Sequence, residues 1–262
     1  MQRALVAGIL AGVLCGVLGF FVILKRLSFI GVGISHSALG GIAVGMLLGI
    51  EPLVAAAVFS TFIAWGIGWL SQRGRLNEDT AIGILFSSAM ALGVVLISMS
   101  KGYQVDLFGY LFGNILAVSP NDLIVLGAIT AVVLFLIVML FKELLFFAFD
   151  EEVAHASGLP IGALNMLLLT CLALSIVAAI RVVGLVLVEA LLVIPAAIGY
   201  QLTRSYRTML AISVASAVLA TTFGLFASYA LDAAAGATIV LLLAAMFAVA
   251  MLWARWPTRS AG

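Results

Sequence analysis

Residues 4–24 read ALVAGILAGVLCGVLGFFVIL, a run with no charged side chain that ends at Lys25 and Arg26. A helix needs about 20 apolar residues to cross the hydrocarbon core of a bilayer, and this run has that length. No small-residue cleavage site follows a charged leader here, so we expect a retained membrane span rather than a signal peptide. The stretch therefore indicates an integral membrane protein made of spanning helices.

The composition of the whole chain supports this interpretation. Of the 262 residues, 65% are hydrophobic and 9% are charged, whereas soluble domains carry roughly a quarter charged residues. A soluble domain of this size has too little interior to cover so much apolar surface. The formal net charge of +1 gives no basis for binding nucleic acid. Cys15 and Cys171 lie in apolar runs and are expected to be small core residues.

Charged and turn residues divide the chain into nine candidate spans. We therefore expect an all-α integral membrane protein, a polytopic bundle of about eight or nine transmembrane helices in a single domain over residues 1–262. Segment 103–118 is apolar but short and contains Asp106 and Asn114, so it is predicted to be an interfacial or re-entrant helix. The nine predicted spans are 4–24, 28–50, 52–71, 80–100, 121–145, 161–180, 183–200, 207–230 and 235–254.

The distribution of Lys and Arg predicts the orientation of the chain. Loops on the cytoplasmic side of a membrane carry an excess of these residues. With nine spans, one set of loops and ends holds nine of the 12 basic residues, and the other holds only Arg3, Lys101 and Arg181. We therefore expect the N-terminus outside and the C-terminus inside.

Two ionisable side chains lie far from the ends of predicted spans, at a depth where such groups are costly and usually serve a function. His36 follows Arg26 by ten residues, or about 15 Å of helix, and Glu189 follows Arg181 by eight, or about 12 Å. Both are therefore predicted near the middle of the hydrocarbon core, where they could face one cavity. Imidazole and carboxylate are ligands for zinc, iron and manganese, so this pair is the candidate metal site. Asp232, near the outer end of the eighth span, is a candidate entrance residue.

Structural roles for these two side chains stay open at this stage. His36 lies between Ser35 and Ser37 and could bond a serine or a backbone carbonyl, and Glu189 could be a neutral carboxyl bonded to a neighbouring helix. The glycines around His36 suit close helix packing, and they also suit an unwound helix that lines a passage. Pro195 predicts a break or kink in the seventh span beyond Glu189.

The longest inner segment, about 146–160, is predicted to contain a short helix. Asp150 suits an N-cap, and Glu151 and Glu152 would lie in the first turn, where carboxylates favour a helix. Gly158 then ends the helix. A short surface helix between two spans is a suitable contact for another protein. The chain has neither a phosphate-binding loop nor a catalytic motif, so it is not expected to be an enzyme, and any ATP-driven motor would be a separate chain.

Six stretches in fixed order resemble the integral-membrane permeases of zinc/manganese/iron-type ABC importers, which are related in architecture to cobalamin and siderophore permeases. Each motif alone is weak, but together they cover nearly the whole chain. They are GISHSALGGIA (33–43), EDTAIGILFS (78–87), LFGNILAVSPNDL (111–123), DEEVAHASGLP (150–160), VGLVLVEALLVIPAA (183–197) and YALDAAAGATIVL (229–241).

The resemblance implies a transport assembly in a bacterial or archaeal cytoplasmic membrane. Its parts would be a homodimer of multi-pass permease chains in lipid, cytoplasmic ATP-binding subunits and an external metal-binding protein. The divalent metal is cargo rather than a tightly bound cofactor, with zinc favoured over manganese or iron. The inner helix, about 150–158, would dock on the ATPase through Asp150, Glu151, Glu152, Ala154 and Gly158.

The chain departs from the family pattern at two positions. The family has an Asp four residues before the motif His, and this chain has Val32 there; the position of Glu189 is commonly small or apolar. We therefore predict that Glu189 stands in for the missing Asp, opposite His36. Two alternatives remain, namely an ABC permease for a metal chelate such as a siderophore or cobalamin, and a secondary transporter or channel in which Glu189 relays an ion.

Overall fold

The computed structural model describes residues 2–73, 77–99, 113 and 118–255. Over these residues the chain forms eleven α-helices and no β-strand. Nearly all of the predicted interfacial segment 103–118, including Asp106 and Asn114, lies outside them, so that prediction is untested. The helices are α1 (Gln2–Leu24), α2 (Ile30–Leu48), α3 (Pro52–Arg73), α4 (Glu78–Met99), α5 (Pro120–Met139), α6 (Phe141–Phe149), α7 (Glu151–Ala156), α8 (Ile161–Val183), α9 (Leu185–Leu202), α10 (Tyr206–Leu231) and α11 (Ala235–Arg255).

Nine of the helices in the described ranges are long and apolar enough to cross a membrane. They coincide with the nine predicted spans apart from shifts of a few residues at the ends, so the prediction of an all-α membrane bundle is confirmed. The largest shift is in the fifth span, where α5 ends at Met139 and Leu140 leaves helical geometry with φ −107° and ψ 22°. Lys142 and Glu143 then occupy the first turn of α6. The names inner and outer follow the predicted orientation, which the helices do not test.

The core of the bundle is formed by α1, α2, α8 and α9. In α1 and α2, 67% of the apolar window is buried inside the chain, and the figure is 72% in α8. By contrast, only 22% is buried in α4 and 17% in α11. An apolar helix that its own chain leaves this open faces lipid or another protein.

The glycines of α2 allow close contact with its neighbours. A Cβ added at Gly41 would lie 2.6 Å from the Ala56 Cα on α3, and one at Gly40 would lie 2.7 Å from the Ala89 carbonyl oxygen on α4. The helix is continuous from Ile30 to Leu48. These glycines therefore serve helix packing, and α2 does not unwind around His36.

The chain interruption near Glu189 lies at Gly184 rather than at Pro195. Gly184 alone joins α8 to α9 and has φ 83°, a conformation that favours glycine. α9 then runs through Pro195 to Leu202 as one helix, because membrane helices tolerate an internal proline when their neighbours support the freed backbone. The predicted break is therefore displaced from the inner side of Glu189 to its outer side.

Ion pairs of Arg181 tie three elements together at the outer end. Its Nε lies 2.9 Å from Asp122 Oδ1 in the first turn of α5, and a terminal guanidinium nitrogen lies 3.4 Å from Glu51 Oε1 between α2 and α3. Since Arg181 is near the end of α8, these contacts fix the outer ends of α5 and α8 relative to the α2–α3 connection.

The inner helix α7 has the caps expected from the sequence. Asp150 accepts a hydrogen bond from the Val153 N–H at 3.0 Å. Gly158 has φ 83°, and the Leu159 N–H donates to the Ala154 carbonyl at 3.2 Å. The Ala154 side chain is buried, whereas Glu151 is exposed. The helix thus packs by one face and leaves an acidic face open.

Candidate functional site

His36 on α2 and Glu189 on α9 lie side by side. The distance from His36 Nδ1 to Glu189 Oε1 is 3.3 Å, and each side chain is 22% exposed. The two helices are in direct contact. The structure therefore brings together the imidazole and the carboxylate that the sequence placed on separate spans, and it leaves both open to a small ligand.

Ser35 is the third polar group at this position. Its hydroxyl donates to Glu189 Oε1 at 2.6 Å and lies 3.1 Å from the Val32 carbonyl oxygen. The hydroxyl thus binds the carboxylate from the same helix that carries His36. Sequence reasoning noted Ser35 only as a neighbour, because nothing local indicates a partner that is 154 residues away.

The hydrogen bonds of His36 assign its tautomer. Nδ1 lies 3.1 Å from the Val32 carbonyl oxygen, an atom that can only accept, and the carboxylate of Glu189 is on the same side of the ring. The proton is therefore assigned to Nδ1, which leaves the Nε2 lone pair free. An imidazole held through one nitrogen in this way commonly ligates a metal through the other.

Two ligand-type atoms at this site have no protein partner within the described ranges. They are His36 Nε2 and Glu189 Oε2, since the hydrogen bonds and the ion pair of these side chains all involve Nδ1 and Oε1. The ring of Phe86 on α4 meets the imidazole edge to face, with centroids 5.3 Å apart and planes at 83°. Phe86 lies within the EDTAIGILFS stretch, but its contact with His36 was not predicted.

The donor set is small. No group of three or more His, Cys, Asp or Glu side chains suited to a metal occurs in the part of the chain that the structure describes. Structural metal sites usually hold the ion with four protein ligands. A pair of ligands with an adjacent hydroxyl instead fits an ion that binds briefly and leaves.

Comparison with known proteins decides the family. The model of the ABC 3 transport family matches residues 1–254. The chain belongs to the ABC 3 transport family. The manganese transport system membrane protein MntC of Halalkalibacterium halodurans is 41% identical over 253 residues, which cover 97% of this chain and 87% of that protein. The chelated iron transport system membrane protein YfeD of Yersinia pestis is 38% identical over 253 residues, covering 97% and 85%.

A solved structure of the same type shares the fold of this permease. It is PsaBC from Streptococcus pneumoniae in complex with Fab, with a TM-score of 0.83 and 39% identity over 95% of this chain and 90% of that chain. The chain is thus an ABC permease subunit, a multi-pass membrane component of transport rather than an enzyme. The resemblance seen in the six sequence motifs is confirmed.

The remaining predicted site residues of the permease are not bonded to this pair. Asp232 caps the outer end of α10 with φ 51° and is exposed. Within the described ranges, no hydrogen bond or ion pair joins it to His36 or Glu189. Its role at the entrance stays a prediction, as does the contact of the α7 residues with an ATPase.

Proposed function

We propose that this permease carries manganese(II) into the cell as part of an ATP-driven importer, with iron(II) as a second cargo. The pairing of His36 with Glu189, with one free ligand atom on each side chain, is the observation that carries the proposal. The names of the similar proteins support the metals, since they refer to manganese and iron transport. An imidazole, a carboxylate and a hydroxyl, without a thiolate, form a donor set that manganese accepts, so the ligands are compatible with this cargo in place of the zinc that the sequence had favoured.

The ligands in this proposal are His36 Nε2 and Glu189 Oε2. The Val32 carbonyl holds Nδ1, so the imidazole is oriented before the ion arrives. Ser35 holds the other carboxylate oxygen on the Nδ1 side of the ring, so in this proposal the Glu189 carboxylate turns toward Nε2 when the ion binds. Glu189 supplies the negative charge that the family motif would supply through an Asp at position 32. Water fills the remaining coordination positions, which keeps binding weak enough for release.

Further chains complete the transport cycle that we propose. Two permeases form a homodimer, so that the partly exposed His36–Glu189 pair lies on a path between the copies. An external metal-binding protein delivers the ion, and cytoplasmic ATPases bind α7 at the exposed residues Asp150, Glu151, Glu152 and Gly158. The prediction that Ala154 joins this contact is wrong, because its side chain is buried against the rest of the permease. The exposed carboxylates of α7 support this contact, because a basic groove on the ATPase would attract them.

Uptake by the reconstituted assembly tests the function. Proteoliposomes that hold the permease and its ATPase, with ATP inside and the metal-binding protein outside, should accumulate radiolabelled manganese, and a non-hydrolysable ATP analogue should give no accumulation. Competition with iron(II) and zinc(II) at equal concentrations then ranks the cargo, and manganese is expected to be preferred.

Two other results would contradict the proposal. Uptake without any ATPase subunit would indicate a secondary transporter with Glu189 as an ion relay. Uptake of a siderophore or cobalamin but not of the free ion would indicate a chelate permease, for which the pair of free ligand atoms has no use.

The hydroxyl of Ser35 is expected to matter for uptake, whereas that of Ser37 is not. Ser35→Ala removes the bond that holds Glu189 Oε1, and we expect the KM for manganese to rise about ten- to a hundredfold, the usual value of a hydrogen bond to a charged group. Ser37→Ala is the matched control because the Ser37 hydroxyl donates only to the Gly33 carbonyl of its own helix at 2.6 Å. Equal KM values for the two variants would contradict the role assigned to Ser35.

A further inference from the structure

Lys25 connects the inner helix α7 to the turn between α1 and α2. Its Nζ lies 2.7 Å from Glu151 Oε2 in the first turn of α7 and 3.9 Å from the ring centroid of Phe147 on α6. The Lys25 side chain is only 10% exposed, and Glu151 is 45% exposed. This contact is stronger than an ordinary surface ion pair, because it is short and joins two charged groups and because the lysine is largely shielded from solvent.

The turn that carries Lys25 is hydrogen-bonded along its length. Arg26 adopts φ 59°, and the Leu27 N–H donates back to the Val22 carbonyl at 2.9 Å, which closes the end of α1. The Ile30 N–H then donates to the Leu27 carbonyl at 2.9 Å as α2 begins. Because these bonds hold the turn together, a displacement of Lys25 also displaces the start of α2.

The site lies a short distance along the same helix. His36 is six residues beyond Ile30, which corresponds to about 9 Å of helix. Glu189 is carried by α9, and within the described residues neither the ion pair nor the ring contact of Lys25 is with that helix. A displacement of α2 that starts at Lys25 therefore moves His36 relative to Glu189.

A second carboxylate makes the position of Lys25 sensitive to α7. Glu78, the first residue of α4, interacts electrostatically with both Lys25 and Glu151. The attraction to Lys25 and the repulsion from Glu151 act together on the Glu78 carboxylate, so charges on three elements influence one another here. If α7 moves away, the attraction of Glu78 still acts on Lys25 from α4, which is packed against α2.

We propose that Lys25 is the positioning residue that transmits movement of α7 to the His36–Glu189 pair. The inference rests on the proposed function, in which the ATPase binds α7. When the ATPase displaces α7, Glu151 moves Lys25 and with it the α1–α2 turn, and α2 shifts against α9. The distance between the two ligands then changes within the transport cycle.

The test is the number of manganese ions transported per ATP hydrolysed, measured on the reconstituted assembly. Lys25→Met keeps the aliphatic stem and removes the charge, and we expect the ratio to fall roughly five- to tenfold while ATP hydrolysis continues. Glu151→Gln should give the same fall, and the double variant should be no worse than either single one. Lys25→Arg, which keeps the charge and the contact with Phe147, should restore most of the ratio.

Controls separate coupling from folding. Lys142→Met is the matched variant, since Lys142 is an exposed inner lysine that forms no ion pair with another described residue; its ratio should equal that of the unaltered permease. A purely structural role for Lys25 would lower the amount of assembled complex without changing the ratio.

The outcomes distinguish this inference from the proposed function. A normal ratio in Lys25→Met, or effects of Lys25→Met and Glu151→Gln that simply add, would overturn the inference and leave the function standing. Absence of ATP-dependent manganese uptake by the unaltered assembly would overturn both.

Discussion

Glu189→Gln is expected to lower manganese uptake about hundredfold or more while ATP hydrolysis by the assembly persists. The amide has the shape of the carboxylate and can still accept from Ser35, so the packing of α9 is kept. It lacks the negative charge and is a poor metal ligand, and loss even of a group that only supports a ligand costs tenfold or more, roughly. Initial rates of radiolabelled manganese uptake in proteoliposomes measure the effect.

Companion variants show whether the two side chains act as a unit. His36→Ala should cause a loss of similar size, and the double variant should be little worse than either single one, because both remove the same site. Glu189→Asp keeps the charge on a shorter side chain and should retain part of the activity. Uptake by Glu189→Gln at the rate of the unaltered permease, with ATP hydrolysis still coupled, would remove Glu189 from the path of the ion.

Gly19→Ala is expected to destabilise the permease by about 2–3 kcal/mol and to abolish most of its transport. A Cβ at Gly19 on α1 would overlap the Leu192 carbonyl oxygen and lie 3.0 Å from its carbonyl carbon. This contact is with the backbone of α9, which cannot turn aside as a side chain can. Since Leu192 is three residues beyond Glu189, relief of the overlap shifts the helix that carries the ligand.

The stability effect is measured by thermal unfolding of the purified permease in detergent. Gly83→Ala is the matched control, because Gly83 lies in α4 and a Cβ there would meet no atom within 4 Å. That change should leave the Tm unchanged or raise it slightly, since alanine favours a helix over glycine by about 1 kcal/mol. Equal Tm values for the two variants would show that α1 and α9 are not in close backbone contact.

The helical bundle was predictable because one strong signal determines it. Long apolar runs such as 4–24 and 161–180, separated by charges, leave a membrane helix as the only way to satisfy the backbone in lipid. The capped helix α7 was equally clear, since Asp150 and Gly158 have side-chain and backbone preferences that act locally. Segment ends were less certain, as in the fifth span, where the helix yields at Leu140 before the charges begin.

The site was predictable only in part, for a different reason. His36 and Glu189 stood out because an ionisable group in a span is costly, and their depths could be counted from Arg26 and Arg181. Their side-by-side placement, however, depends on how α2 turns toward α9. The same holds for the hydroxyl of Ser35.

Packing between distant segments also determines the features that the sequence predicted wrongly or left open. Proline at 195 favours a break, but the neighbours of α9 support the helix there, and the chain turns instead at Gly184. Similarly, the glycines near His36 allowed either packing or unwinding, and the close approach of α3 and α4 selects packing. Such choices depend on tertiary contacts, which a single sequence does not display.

The position of the cargo tests the central claim most directly. Crystals of the permease soaked in manganese(II), measured at the manganese absorption edge, should show one anomalous peak about 2.2 Å from both His36 Nε2 and a Glu189 carboxylate oxygen that has turned from Nδ1 toward Nε2, a usual distance for nitrogen and carboxylate ligands. The peak should vanish in Glu189→Gln. Manganese bound elsewhere along the path, with His36 and Glu189 still bonded only to each other and to α2, would contradict the account.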